Sequence, residues 1–101
     1  MSLNRYAKRR DANEADIVHA LRAIPGVKVF LLDKPCDLLV GIKKRGGCYN
    51  ILLEVKPPGR ENRADQKDQK QWREDWTGQI QVVTTIDQAL NCVLNCYKTL
   101  R

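Results

Sequence analysis

Residues 36 to 56 read CDLLVGIKKRGGCYNILLEVK, and Pro57-Pro58-Gly59 follows at once. Two apolar runs flank a basic turn that holds Gly46 and Gly47, which is the pattern of an antiparallel β-hairpin. Proline has no N–H for a ladder, so the second strand must end at about Lys56. Most other elements of the chain have to pack on this pair. Its base is unusual, because Asp37 opens the first strand while Glu54 and Lys56 close the second, where a small core would prefer apolar side chains.

The flanking segments carry clear periods. Ile17, Val18, Leu21 and Ile24 recur at helical spacing and predict a helix from Asp11 to Ile24, stopped by Pro25-Gly26. VKVFLL, 27 to 32, predicts a strand, with a turn around Asp33 to Pro35. Beyond a polar loop at 59 to 64, a polar helix is expected from about Asp65 to Trp76. QIQVVT, 79 to 84, predicts a fourth strand. Thr85 and Gln88 match a capping box that launches a last helix through about Lys98. Its apolar face, Ile86, Leu90, Val93, Cys96 and Leu100, is available to the sheet or to a partner. The order is αβββαβα, an α/β chain with a mixed sheet. Residues 1 to 10, MSLNRYAKRR, lack periodicity and read as a flexible basic arm, leaving 11 to 101 as a single domain.

A length of 101 residues, 43% hydrophobic and 30% charged, suits one such domain. No apolar run approaches the roughly 18 to 20 residues that span a bilayer, and the basic N-terminus lacks a signal-peptide stretch, so a soluble cytoplasmic protein with no membrane partner is expected. The formal charge of +6 suits a polyanionic partner. Cys36, Cys48, Cys92 and Cys96 form no CxxC pair, and no disulfide framework is expected; Cys92 and Cys96, four apart on a helix, could be bridged by a metal but read more simply as small core residues. With His19 the sole histidine, zinc sites and His-based triads have little to build on, and any chemistry falls to carboxylates.

Strand alternation puts Glu54 and Lys56 on one face with Leu52, and Ile51, Leu53 and Val55 on the other. A Gly46-Gly47 turn sets Asp37 opposite Lys56, with Glu54 a diagonal neighbour at about 7 to 8 Å. An Arg45-Gly46 turn sets Asp37 directly opposite Glu54. Either way both carboxylates reach one ion. Glu14 extends the Ile17–Val18–Leu21 stripe and points either at the sheet or, as a first-turn acid, into water. Gln69, Trp72 and Trp76 form a stripe on the second helix, with the tryptophans as core anchors. No aromatic pair in the sequence resembles a stacking platform for single strands. Hard oxygen ligands suit Mg²⁺ or Mn²⁺, and a lysine beside them suits phosphoryl chemistry. The alternative is an ordinary Glu54–Lys56 ion pair on a solvated edge.

Asp37, sixteen residues, then Glu54-Val55-Lys56 behind an acidic helix resembles the PD-(D/E)xK nuclease superfamily, whose core order is αβββαβ. RRDANEADIVHALRAI, DLLVG, LLEVK and DQKQWREDW are similar, in order, to segments of the small stand-alone VRR-NUC nucleases of phages and bacteria. The resemblance implies a restriction-endonuclease-like fold and a metal-dependent endonuclease acting on DNA, with four-way (Holliday) junctions a plausible substrate. It assigns Asp37, Glu54, the Val55 carbonyl and Glu14 to the metal, Lys56 as the catalytic lysine, and Gln69 as the second-helix glutamine, with Gln66 its competitor. Three departures stand out: Cys36 replaces the family's proline, Arg73 replaces a histidine, and the first helix lacks a Thr-Pro start.

Lys8, Arg9 and Arg10 of the arm and Lys43, Lys44 and Arg45 of the turn are candidate phosphate contacts. Symmetric cutting of a branched DNA calls for two sites, most simply a homodimer. A DNA-binding module without catalysis, or a nuclease directed at RNA, are the competing readings.

Overall fold

A computed structural model describes residues 12–33, 36–57 and 67–99. The basic arm, Gln66 and Leu100 lie outside these residues, as do the side chains of 67–69, including Gln69. The chain is α+β. Helix α1 (Ala12–Arg22) precedes strands β1 (Val27–Leu31), β2 (Leu38–Lys44) and β3 (Gly47–Val55). Helix α2 (Lys67–Asp75), strand β4 (Ile80–Val83) and helix α3 (Ile86–Thr99) complete it. The four strands form one mixed sheet in the order β1-β2-β3-β4, antiparallel except for the parallel β3–β4 pair. No helix among the described residues is long and apolar enough to cross a membrane.

The hairpin closes through Arg45-Gly46, since Lys44 faces Gly47 and Leu38 faces Leu53. Gly26 makes the return from α1 possible. It has φ +81°, and its carbonyl accepts from the Lys43 N–H at 2.8 Å, so β2 passes where a Cβ would collide with the Lys43 carbonyl.

One face of the sheet carries the core. Val27, Val29, Leu38, Val40, Ile42, Ile51, Leu53, Val55 and Val83 pack there beneath Ile17, Val18 and Leu21 of α1 and Ala89, Val93 and Cys96 of α3. The last helix turns most of the expected face inward: Val93 and Cys96 lie in the core and Leu90 packs against it, but Ile86 is 39% exposed and Ala89 joins the i, i+4, i+7 row with Val93 and Cys96 instead. Its cap also differs. Thr85 Oγ1 accepts from Gln88 N as a capping box requires, but Gln88 Oε1 reaches one residue further back, to the Thr84 N–H at 2.7 Å.

Residues 51 to 55 are all buried, as befits a central strand covered on both faces. Cys36 and Cys96 are buried, Cys92 is half-buried and Cys48 is exposed, so the core reading holds for Cys96 and in part for Cys92. Trp72 and Trp76 also depart from expectation. Trp76 is 44% exposed, Trp72 half-buried, and the two indoles stack on each other with centroids 4.9 Å apart and planes 17° from parallel. Four-residue spacing on a helix brings the rings together, so they shield each other instead of entering the core. An aromatic pair open to solvent thus exists where none was expected.

Candidate functional site

The site grows from the ends of β2 and β3. Continuing the register past Leu38–Leu53 sets Asp37 opposite Glu54, so both carboxylates leave the sheet on the face away from the core. Glu54 is 1% exposed and Asp37 6%. A carboxylate buried on a central strand is costly unless it is paired. For Glu54 the partners are two cations that share one oxygen: Lys56 Nζ and an Arg73 guanidinium nitrogen each lie 2.9 Å from Oε2. Lys56 comes from the same strand face two residues on, and Arg73 from α2. The other oxygen, Oε1, is buried and accepts no hydrogen bond among the described residues.

Asp37 has a second task. Its Oδ2 accepts from the Val55 N–H at 2.7 Å and its own carbonyl accepts from Leu32 N at 2.8 Å. The aspartate thus finishes the ladder where the strand stops and ties β1, β2 and β3 together beside Glu54. Val55, whose carbonyl was the expected metal ligand, is held by that bond and turns its side chain into the core.

Helix α1 reaches the same end of the sheet through Asn13. Its Nδ2 donates to the carbonyls of Lys56 at 3.0 Å and Thr84 at 2.7 Å, clamping the helix N-terminus across the carboxyl ends of the parallel strands. Such ends are common ligand sites in open sheets with a parallel pair. Glu14, the next residue, is 3% exposed, which decides for the inward face over the solvated first turn. Asn13 Oδ1 is a second buried acceptor without a donor among the described residues.

The arrangement brings Asp37, Glu54 and Lys56 together, and it adds two residues that spacing did not single out. Arg73 sits four residues after Gln69 and one after Trp72, so it borders the stripe already noted. That helical adjacency is the signal that would have found it. Asn13 gives no comparable signal, since its partners lie 43 and 71 residues away. Among the turn cations, Lys43 and Arg45 are exposed. Lys44 points to the other face, where its Nζ donates to the Tyr97 carbonyl at 3.2 Å and lies 4.6 Å from the Tyr97 ring centroid.

The donor set fits a hard divalent cation. Two carboxylates sit on one face, and Glu54 presents a buried oxygen with unused acceptor capacity. Among the described residues, no three His, Cys, Asp or Glu side chains converge on one ion position. Completion by backbone oxygen and water, as Mg²⁺ commonly prefers, is consistent with so few carboxylates. Comparison with known proteins finds no matching family model, curated protein or solved structure.

Proposed function

We propose that this chain is a Mg²⁺- or Mn²⁺-dependent endonuclease that hydrolyses nucleic-acid phosphodiester bonds, with branched DNA as its substrate and a homodimer as its working form. The observation that carries the reading is Glu54: a carboxylate 1% exposed on a central strand, with Asp37 opposite, Lys56 bonded to one oxygen and the other oxygen without a donor. A buried carboxylate with a lysine on one oxygen and acceptor capacity left on the other suits a phosphodiesterase centre.

Asp37, Glu54 and the Val55 carbonyl would hold the ion, with Glu14 supporting its water shell. The ion would supply a more acidic bound water and an electrophile for the phosphate. The remaining work belongs to the chain. Lys56, its side chain 15% exposed, is oriented by Glu54 and carries a positive charge to the phosphate as negative charge develops there. Arg73, 19% exposed, is placed to do the same from α2, so the histidine that the resemblance expects there is replaced by a permanent cation. Asp37 keeps the end of β3 in register through Val55. The +6 charge draws the polyanion in.

The competing reading, a nucleic-acid-binding module without catalysis, is favoured by one observation: Glu54 and Asp37 each already hold protein partners. Cleavage of labelled duplex, flap and four-way-junction DNA, with matching RNA, in Mg²⁺, Mn²⁺ or EDTA separates the two. The nuclease reading expects metal-dependent cutting that is lost in Lys56→Ala and Asp37→Asn. Binding without cutting in either metal would leave the module as the better account.

A further inference from the structure

On the face that carries Glu54, β3 presents Leu52, Asn50 and Cys48 in turn towards the hairpin, opposed by Leu39, Gly41 and Lys43. Over the middle of this row lies an open cleft of about 590 Å³, walled by the stacked Trp72–Trp76 pair on one side and by Leu39 and Leu52 below, with Asn50 and Gln79 on its lining. We propose that this cleft binds an unpaired nucleobase, from a strand whose backbone passes from the Glu54 end of the sheet towards Lys43. The inference deepens the nuclease reading and rests on it for placing the scissile phosphate at Glu54.

Four features specify the occupant. The walls are flat and apolar, and indole faces accept any base by stacking, whatever its identity. Asn50 and Gln79 are exposed primary amides, each offering donors and an acceptor to a base edge. The sheet is slim beside the cleft, because Gly41 adds no side chain of its own opposite Asn50, whose Oδ1 would lie 3.7 Å from a Cβ there, and glycine within a strand often marks close approach of a ligand. Cations stand at both ends of the row: Lys56 and Arg73 where they share the Glu54 carboxylate, and exposed Lys43 about 20 Å from Glu54 at roughly 3.4 Å per residue. That length accommodates a few nucleotides, with the base cleft between the two cationic ends.

The platform is also built in advance. Trp76 N–H bonds to the Trp72 carbonyl at 3.0 Å, extending the last turn of α2. Gly78 lies against the indole edge, so closely that a methyl group there would stand 2.7 Å from Trp76 Nε1 and 3.0 Å from Cε2. Only a glycine at 78 leaves the ring in this position.

Trp72 and Trp76 are the chain's two tryptophans, so all its indole emission reports on the cleft. The test titrates the whole protein, in EDTA so that nothing is cut, with a labelled oligothymidylate and with a blunt duplex of equal length. Saturating oligothymidylate is expected to change the indole emission. Its affinity, read by anisotropy, should fall roughly tenfold in Trp76→Ala, be largely restored in Trp76→Phe, and fall several-fold in Gly78→Ala. Blunt-duplex affinity should not change in any of the three. Thermal melts check that each variant is folded, and the exposure of Trp76 makes its removal tolerable. Unchanged emission at saturation, or equal losses for single strand and duplex, would overturn the proposal. So would emission that follows protein concentration through self-association, since a second copy would then be the occupant. Asp37→Asn, which removes a negative charge beside the path of the strand, should bind oligothymidylate at least as tightly as wild type. If it also cuts as wild type does, the catalytic assignment falls while the cleft is still judged by Trp76.

Discussion

Replacing Glu54 with glutamine is the sharpest perturbation of this site, because shape is kept and only the charge between Lys56 and Arg73 is removed. Both cations lie 2.9 Å from the same oxygen of a side chain 2% exposed. At that distance, with an effective dielectric constant near 20, each attraction is on the order of 6 kcal/mol before desolvation is subtracted. Breaking a buried pair by removing one partner costs about 3 to 5 kcal/mol, since the remaining charge is left uncompensated. Lys56 and Arg73 keep 15% and 19% exposure, so they relax partly into water, and the expected loss for Glu54→Gln is about 3 kcal/mol. Arg73→Met removes one cation while Lys56 still neutralises Glu54, and should cost only about 1 kcal/mol. The two changes share one interaction, so the double variant should be more stable than additivity predicts by about 1 to 2 kcal/mol. Urea unfolding of the four proteins measures this cycle directly. Losses that add to within about 0.5 kcal/mol would mean that Arg73 is not held by Glu54, and the electrostatic account of the site would fail. Repeating the cycle in Mg²⁺ adds a second readout, because the ion should stabilise wild type and not Glu54→Gln.

Three further outcomes follow from particular contacts. Asp37→Ala leaves the buried Val55 N–H without its acceptor and should cost about 1 to 3 kcal/mol in chemical denaturation, whereas Asp37→Asn retains an acceptor oxygen and should stay close to wild type in stability. Lys43→Ala should lower affinity for duplex across sequences and reduce its salt slope by about 0.9, while Lys44→Ala should leave the slope unchanged and cost about 1 kcal/mol of stability through its lost contacts with Tyr97. Burial, then the neighbouring Cys96, pushes the Cys92 thiol up from 9.0 to about 11. The folded protein therefore holds that proton where the unfolded chain releases it, so this contribution is complete below about pH 9 and is lost as pH rises towards 11. Half exposure discounts it to about 1 kcal/mol, readable as the difference in alkaline stability between wild type and Cys92→Ala.

Much of this architecture is local, and for that reason legible in the chain. Hydrophobic period marks α1 at Ile17, Val18 and Leu21, Pro25-Gly26 ends it, and a glycine turn followed by Pro57-Pro58 brackets the hairpin. Alternation is a covalent property of a strand, so Glu54 and Lys56 had to share a face once β3 formed. Other features depend on which surfaces meet. The turn's position chose between two registers and set Asp37 opposite Glu54. Helix α3 turned Ala89 inward with Val93 and Cys96 and left Ile86 39% exposed, because a helix's rotation is set by the groove that receives it. Asn13 entered the site through contacts 43 and 71 residues apart, distances at which no periodic pattern carries information, and Arg73, 19 residues from Glu54, was traceable only through its place beside the Gln69–Trp72 stripe. The tryptophans make the same point in reverse. Their spacing ensured that the two rings would meet, but only the extent of the sheet beneath α2 decided whether the pair would be buried or stand open as the wall of a cleft.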